Sequence, residues 1–277
     1  MAWRALLDGA LDVLAPGHAP VGARQEEPDF HGRLTRHWTA AYADLGSPPE
    51  TDTHLRALDL VRGGRVEEGA RLLRRLADAG SVRALTDLGV LRFRTGGPEE
   101  GRQLWREAGS RGSARAIHFL GLASIQAGDH AQAERQLRQA FENGMAQAAK
   151  DLGLLLQHEG RVEEAEEAWV AASEQGVAEA DSLLGLLWSE RDDLEQAGRW
   201  WRKGALRGSP DAAYNLGLLL ADEGDLATAI EWFRQAKRLG HHAARTALTR
   251  ALATDRTRRR TSYEDLGIDP VHGREHR

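Results

Sequence analysis

The sequence predicts an all-α fold, a solenoid of stacked helix-turn-helix repeats, and three observations predict it. One period of 32 residues holds through six consecutive blocks without an insertion. Within each block the apolar residues recur at helical spacing, in two separate runs. Glycine stands at the end of every block and near the middle of five of the six, where a helix has to stop.

The elements follow in order. Trp3, Leu6, Leu7, Ala10, Leu11 and Leu14 form a first amphipathic stretch, and Phe30, Leu34, Trp38, Ala41 and Leu45 place a second on one face of a helix over 29–45. Between them, residues 15–28 are rich in Pro and Gly and read as a mobile linker. Residues 1–48 are thus expected to be a helical extension that docks on the first repeat or folds back into the groove. The repeats occupy 49–80, 81–112, 113–144, 145–176, 177–208 and 209–240. In the last of these Ala213, Leu216 and Leu220 give one stripe, and Leu226, Ala229, Ile230 and Phe233 the other. Asp129 with Gln132 and Asp193 with Gln196 have the spacing of a helix-starting capping box, and Pro98 suits a first helical turn. Residues 241–255 restart a first helix, with Ala244 and Leu248 in phase, and read as a C-terminal cap with a polar outer face. Residues 256–277 read as an Arg-rich, flexible tail.

Four repeat positions carry the packing. Position 9 is Gly89, Gly121, Gly153, Gly185 and Gly217, each preceded by Leu, with Ala57 in the first repeat. Position 16 is glycine except at Asp192. Position 21 is always Gly or Ala, and position 25 always bulky: Leu73, Trp105, Leu137, Trp169, Trp201, Phe233. A glycine inside a helix costs about 1 kcal/mol against alanine, so five in phase imply close approach. The expectation is that position 9 meets position 21 while position 25 fills the space toward the next repeat. Trp105, Trp169 and Trp201 are therefore core, Trp200 and Trp232 fall beside the stripe, and Trp188 is a candidate pocket residue.

Composition narrows the function classes. The formal net charge is −5, but residues 241–277 carry +3 and the remainder −8, so the body repels nucleic acid. There is no cysteine, which excludes disulfides, thiolate metal sites and a cysteine nucleophile, and suits a reducing cytoplasm. The first twenty residues lack the uninterrupted apolar run of a secretory signal, and no stretch is long and apolar enough to span a membrane. Only three of the 37 basic residues are lysines, a bias that points to a GC-rich bacterial genome.

The pattern A-x3-LG-x6-G-x4-A-x3-W-x2-A-x3-G resembles tetratricopeptide-type repeats. The ending A-x3-G-x3-A, as in AASEQGVAEA, is most similar to their Sel-one-like branch. The resemblance covers about residues 49–255 and implies a right-handed α-solenoid. Two departures stand out. The repeat is shorter than the family's usual length of about 34, implying a tighter turn, and the first repeat lacks the Leu-Gly pair, implying a degenerate N-terminal unit.

Catalytic and cofactor motifs are absent. The eleven histidines show no i, i+4 pair with a nearby carboxylate, and the adjacent His241 and His242 should diverge on a helix, so no metal site is expected. The segment GGPEEGRQ (96–103) has Arg102 where a phosphate loop has lysine and no strand before it, and its glycines are the ordinary repeat positions. No nucleophile elbow or dinucleotide fingerprint occurs. The sequence predicts no enzyme and no cofactor.

By the resemblance, the first helices line the concave face and present repeat positions 3, 6, 10, 13 and 14. The residues so presented are His54, Arg62, Arg83, Arg94, Arg115, His118, Lys150 and His158 from the first four repeats, and Glu179, Glu190, Asp211, Tyr214 and Asp222 from the last two. Leu122, Leu154, Leu186 and Leu218 would form an apolar floor. The asparagines that carboxylate-clamp members of the family use are absent at these positions, so that ligand is not assigned. The expected groove is basic at one end and acidic at the other, suited to a peptide or helix of another protein, which makes an adaptor or scaffold the leading reading. The alternative is a regulatory protein whose Arg-rich segment 256–260, beside Thr261 and Ser262, contacts nucleic acid or another acidic partner while the solenoid senses a second protein.

Overall fold

The structure, a computed structural model, describes residues 48–265. The two amphipathic stretches before residue 48, their linker, and the side chains of Arg259, Arg260, Thr261 and Ser262 lie outside the described residues. The described residues form thirteen helices and no strand. No helix among them is long and apolar enough to cross a membrane.

The chain divides into two compact parts between Met145 and Ala146, one residue past a repeat boundary and at the start of a first helix. The first holds α1 (Pro48–Arg62), α2 (Val66–Asp78), α3 (Val82–Arg94), α4 (Pro98–Ser110), α5 (Ala114–Gln126) and α6 (His130–Glu142). The second holds α7 (Ala146–His158), α8 (Val162–Glu174), α9 (Ala178–Glu190), α10 (Leu194–Leu206), α11 (Pro210–Asp222), α12 (Leu226–Arg238) and α13 (Ala244–Asp265). Within each part every helix packs on its successor, so each repeat is one antiparallel pair stacked on the next.

Local chemistry sets these boundaries. The side chains of Ser81, Ser113, Asp129, Asp193, Ser209 and Asp225 each accept the backbone N–H three residues on and start a helix. The two helices of each pair are separated by a left-handed residue, and in the first five pairs the next backbone N–H returns to a carbonyl five residues back, as from Asp129 to Ser124 and from Asp193 to Trp188. Asp192 occupies this conformation at φ 62°, and among the described non-glycine residues it alone does so. The segment 96–103 is one of these turns, with Pro98 in the first turn of α4.

The core follows the repeat positions, with one addition. The position-21 residue does meet position 9: a Cβ on Gly101 would lie 2.7 Å from the Gly89 carbonyl oxygen. The bulky position-25 residue also lies directly on the glycine of its own repeat. A Cβ on Gly153 would fall 2.3 Å from Trp169 Nε1, and one on Gly185 2.3 Å from the ring of Trp201. Three of these indoles donate to the backbone carbonyl 19 residues back: Trp105 to Thr86, Trp169 to Lys150 and Trp201 to Ser182. Each such carbonyl belongs to a first helix and accepts on its second lone pair. The same rings reach forward as well, for Trp105 packs 5.2 Å from Phe119 of the following repeat.

Two expectations are corrected at the C-terminal end. The last helix does not stop at residue 255 but runs to Asp265, because no glycine or proline interrupts the chain before Gly267. Thr254 and Thr257 bond back to Arg250 and Ala253 carbonyls, and Arg258 Nη1 donates to the Gly224 carbonyl at 3.2 Å. His241 and His242 precede this helix, and their rings stack at 4.9 Å instead of diverging.

Candidate functional site

In the first compact part the basic side chains expected to face a partner converge on a buried acid. Asp87, on α3, is 1% exposed. His54 Nε2 of α1 lies 2.8 Å from its Oδ2, Arg115 Nη2 of α5 lies 2.9 Å from its Oδ1, and Arg83 Nε of α3 is 4.0 Å away. Burial pushes the Asp87 carboxyl up. The Arg115 guanidinium, the His54 hydrogen bond and Arg83 together outweigh it and hold the group below its ordinary value of about 3.8. His54 and Arg115 therefore tie α1 and α5 to α3, and with Arg83 beside the same carboxylate three of the basic residues expected to face a partner are engaged inside this part. His118 is buried (4% exposed) with its ring 6.1 Å from Phe119, so it is not presented at a surface. Arg94 is half-buried in the last turn of α3.

In the second compact part the first helices line an open cleft of about 560 Å³. Helix α7 contributes Lys150 and Leu154, α9 contributes Glu179, Ser182, Leu183 and Leu186, and α11 contributes Asp211, Tyr214 and Asn215. The turn before α13 closes one side with His241, His242 and Ala243. Repeat positions 3, 6, 7 and 10 are spaced to share one helical face, and this is why three consecutive first helices offer them to one space. Trp188 is not among the lining residues. It packs against the core of the last repeat and carries Arg191 over its ring at 5.0 Å. His158, Glu190 and Asp222 are exposed toward the C-terminal ends of α7, α9 and α11, and none of them lines the cleft.

The cleft has three chemical zones. Leu154 and Leu183 are half-buried and Leu186 is 43% exposed, making an apolar floor; Leu218, equivalent to Leu186 one repeat on, is 40% exposed beside it. Tyr214 and His241 stack at 4.1 Å and 17°, making an aromatic wall braced by Phe233 at 5.9 Å from Tyr214. Glu179 and Asp211 stand exposed at the rim. Lys150 Nζ lies 3.0 Å from the buried Asp151 carboxylate and is neutralised by it. His241 Nε2 is 3.4 Å from Asp211 Oδ1. Burial pulls the His241 pKa below 6.5, and His242 adds to that shift against the opposing pull of Asp211.

A further buried carboxylate, Asp181 on α9, belongs to the packing. It accepts from Ser173 at 2.5 Å and from Arg207 at 2.9 Å, with Lys203 3.5 Å away, and so ties α8, α9 and α10 together. Among the described residues no group of three His, Asp or Glu could hold a metal ion.

Of the lining residues, Lys150, Leu154, Glu179, Leu186, Asp211 and Tyr214 are among those the sequence places on this face, and Ser182 shares position 6 with Lys150 and Tyr214; Leu183, Asn215, His241, His242 and Ala243 fall outside the expected positions. Position 7 was omitted from the face although it lies one helical turn from positions 3 and 10. The histidines were missed because they stand in a turn, outside the helical phase.

The comparisons agree with this architecture. The tetratricopeptide repeat model matches residues 54–114, 120–181 and 191–244, and a second tetratricopeptide repeat model matches 178–203. No curated protein matches the chain in sequence. Among solved structures, c5321, a protective antigen of uropathogenic Escherichia coli with an SLR fold, is 24% identical with a TM-score of 0.56 over 80% of this chain. The chain spans 52% of the length of that protein. A Sel1 repeat protein from Oxalobacter formigenes is 19% identical, with a TM-score of 0.54, covering 75% of this chain and 94% of its own. PilF from Pseudomonas aeruginosa is 17% identical, with a TM-score of 0.54, covering 74% and 97%. At these identities the structures speak to the fold alone. The repeat models match most of the chain, and the chain belongs to the tetratricopeptide repeat family.

Proposed function

We propose that the protein is a scaffold that binds another protein, holding a peptide or helix against the first-helix face of its second compact part. Tetratricopeptide and Sel1-like folds are generally involved in protein–protein interaction. The observation that carries the reading is the apolar strip beside the cleft. Leu186 and Leu218 are 43% and 40% exposed, whereas their equivalents Leu58, Val90 and Leu122 are buried to 2% or less. Exposed leucines in phase over consecutive repeats, continuous with Leu154 and Leu183, form a contiguous apolar surface of the kind that marks an interaction site. The rim carboxylates contribute specificity more than affinity, since exposed charges are worth about 1 kcal/mol or less each.

Site-specific photo-crosslinking tests the reading. A benzophenone side chain at position 186 should capture a discrete protein in lysate of the source cell, and one at position 206, where Leu206 is 73% exposed outside a first helix, should not. Capture should disappear in Leu218→Asp with unchanged thermal melting. Equal capture at both positions, or capture indifferent to Leu218, contradicts the proposal. The alternative role for the Arg-rich run, binding nucleic acid, draws less support, because Arg258 is engaged with the Gly224 carbonyl.

A further inference from the structure

We infer that the cleft of the second compact part selects peptides in which a lysine or arginine stands next to an apolar residue, the cation between Glu179 and Asp211 and the apolar side chain on Leu154 and Leu186. This rests on the scaffold reading above and names the chemistry of its partner.

Among the lining residues the formal cation is Lys150, and the buried Asp151 at 3.0 Å offsets it. Glu179 is exposed and makes no ion pair among the described residues. Asp211 has its side chain 66% exposed, and the imidazole beside it is held neutral by burial. Two rim carboxylates are therefore left uncompensated over an apolar floor. An acidic ligand or a nucleic acid would meet like charge there, and a purely apolar ligand would strip water from both carboxylates without replacing it.

Geometry supplies the rest. A volume of about 560 Å³ lies within the range that takes a ligand-sized group. The Tyr214 and His241 rings offer flat faces, and a guanidinium favours such faces as well as carboxylates.

The test uses the full chain and a displayed library of random dodecapeptides, panned at pH 7.5 against wild type, Leu186→Asp and Glu179→Lys/Asp211→Lys. The substituted residues are exposed; the two reversals stand in first helical turns and should lower the melting temperature slightly, while the circular dichroism spectrum of the folded protein should match wild type. Wild-type pools should converge on Lys or Arg adjacent to Leu, Ile, Met or Phe. The charge-reversed variant should lose that enrichment at least tenfold and turn toward Asp and Glu. A synthetic consensus peptide should lose at least tenfold in affinity when its cation becomes norleucine, and the loss should shrink below about threefold on Glu179→Gln/Asp211→Asn. Pools that depend on Leu186 but carry no basic preference overturn this inference and leave the scaffold reading standing. Pools indifferent to all three positions, or a library yielding no peptide that depends on this face, overturn both.

Discussion

Arg115 and Asp87 meet at 2.9 Å across two repeats, the guanidinium two-thirds buried and the carboxylate almost wholly so. The pair converts what the sequence presents as a groove cation into a fastening between first helices. Removing one partner of a buried pair is strongly destabilising because the other charge stays in the low-dielectric interior, at a cost of about 3–5 kcal/mol. Arg115→Ala should therefore lower the urea midpoint far more than Arg106→Ala, which removes an exposed arginine from α4.

Acid should undo the same cluster. The folded state holds Asp87 below the value of about 3.8 that the group takes when unfolded. The unfolded chain then binds the proton first, so the stability owed to Asp87 is fully present above about pH 4 and is lost as the pH falls through the folded value. Urea melts of wild type and Asp87→Asn should differ most at neutral pH, and the difference should narrow below pH 4. A gap that stays constant to pH 2.5 would show that the carboxylate charge is not what the arginines hold.

The glycine at position 9 sets a second test. Alanine gains about 1 kcal/mol in helix propensity, but at Gly185 its Cβ would lie 2.3 Å from the Trp201 ring, which is also bonded to the Ser182 carbonyl. Overpacking of this kind costs about 1–3 kcal/mol, so the clash outweighs the propensity and Gly185→Ala should be destabilising. At Gly121 the nearest atoms belong to Leu137 at 2.9 Å, a side chain that can rotate. Gly121→Ala should be the milder change, and calorimetric melting of the two variants orders them.

Asp192 offers a gain. Its φ of 62° is the left-handed conformation that costs a residue with a Cβ roughly 1–2 kcal/mol, and every equivalent turn in the other repeats uses glycine. Asp192→Gly should raise the unfolding free energy by about 1 kcal/mol, less the extra freedom glycine has when unfolded, which a urea midpoint reads. A neutral or negative effect would mean that the Asp192 side chain contributes a stabilising contact of its own.

These cases also divide what the sequence discloses from what it hides. The helix pairs, their boundaries and the core are legible because they repeat: a residue type returning every 32 positions, such as the glycine facing Trp169 and Trp201, can only be serving the same packing. Asp87 is illegible by that route because it appears at position 7 of some repeats and not others. A subtler trace exists, since His at position 6 followed 33 residues later by Asp at position 7 occurs in His54 and Asp87 and again in His118 and Asp151. Lys150, Glu179, Asp211 and Tyr214 were found by their place on a helix face. His241 and His242 were not, because a turn has no period and only three dimensions bring it against α11.

His241 gives the last prediction. Burial, reinforced by His242, holds its pKa below 6.5, and Asp211 works against both. In nuclear magnetic resonance titrations its imidazole should titrate below 6.5 in wild type, move up in His242→Ala and move further down in Asp211→Asn. Between 6.5 and the folded value the unfolded chain binds the proton and the folded chain does not, so stability should fall as the pH drops through that window and level off beneath it. His241→Phe keeps a ring against Tyr214 at 4.1 Å without a titrating nitrogen, and should flatten the dependence while leaving the melting temperature at pH 8 nearly unchanged. Protonation would also place a cation at the rim beside Asp211. Binding of a basic peptide should therefore weaken over the same interval in wild type and hold steady in His241→Phe, which separates the effect of this imidazole from any titration of the peptide.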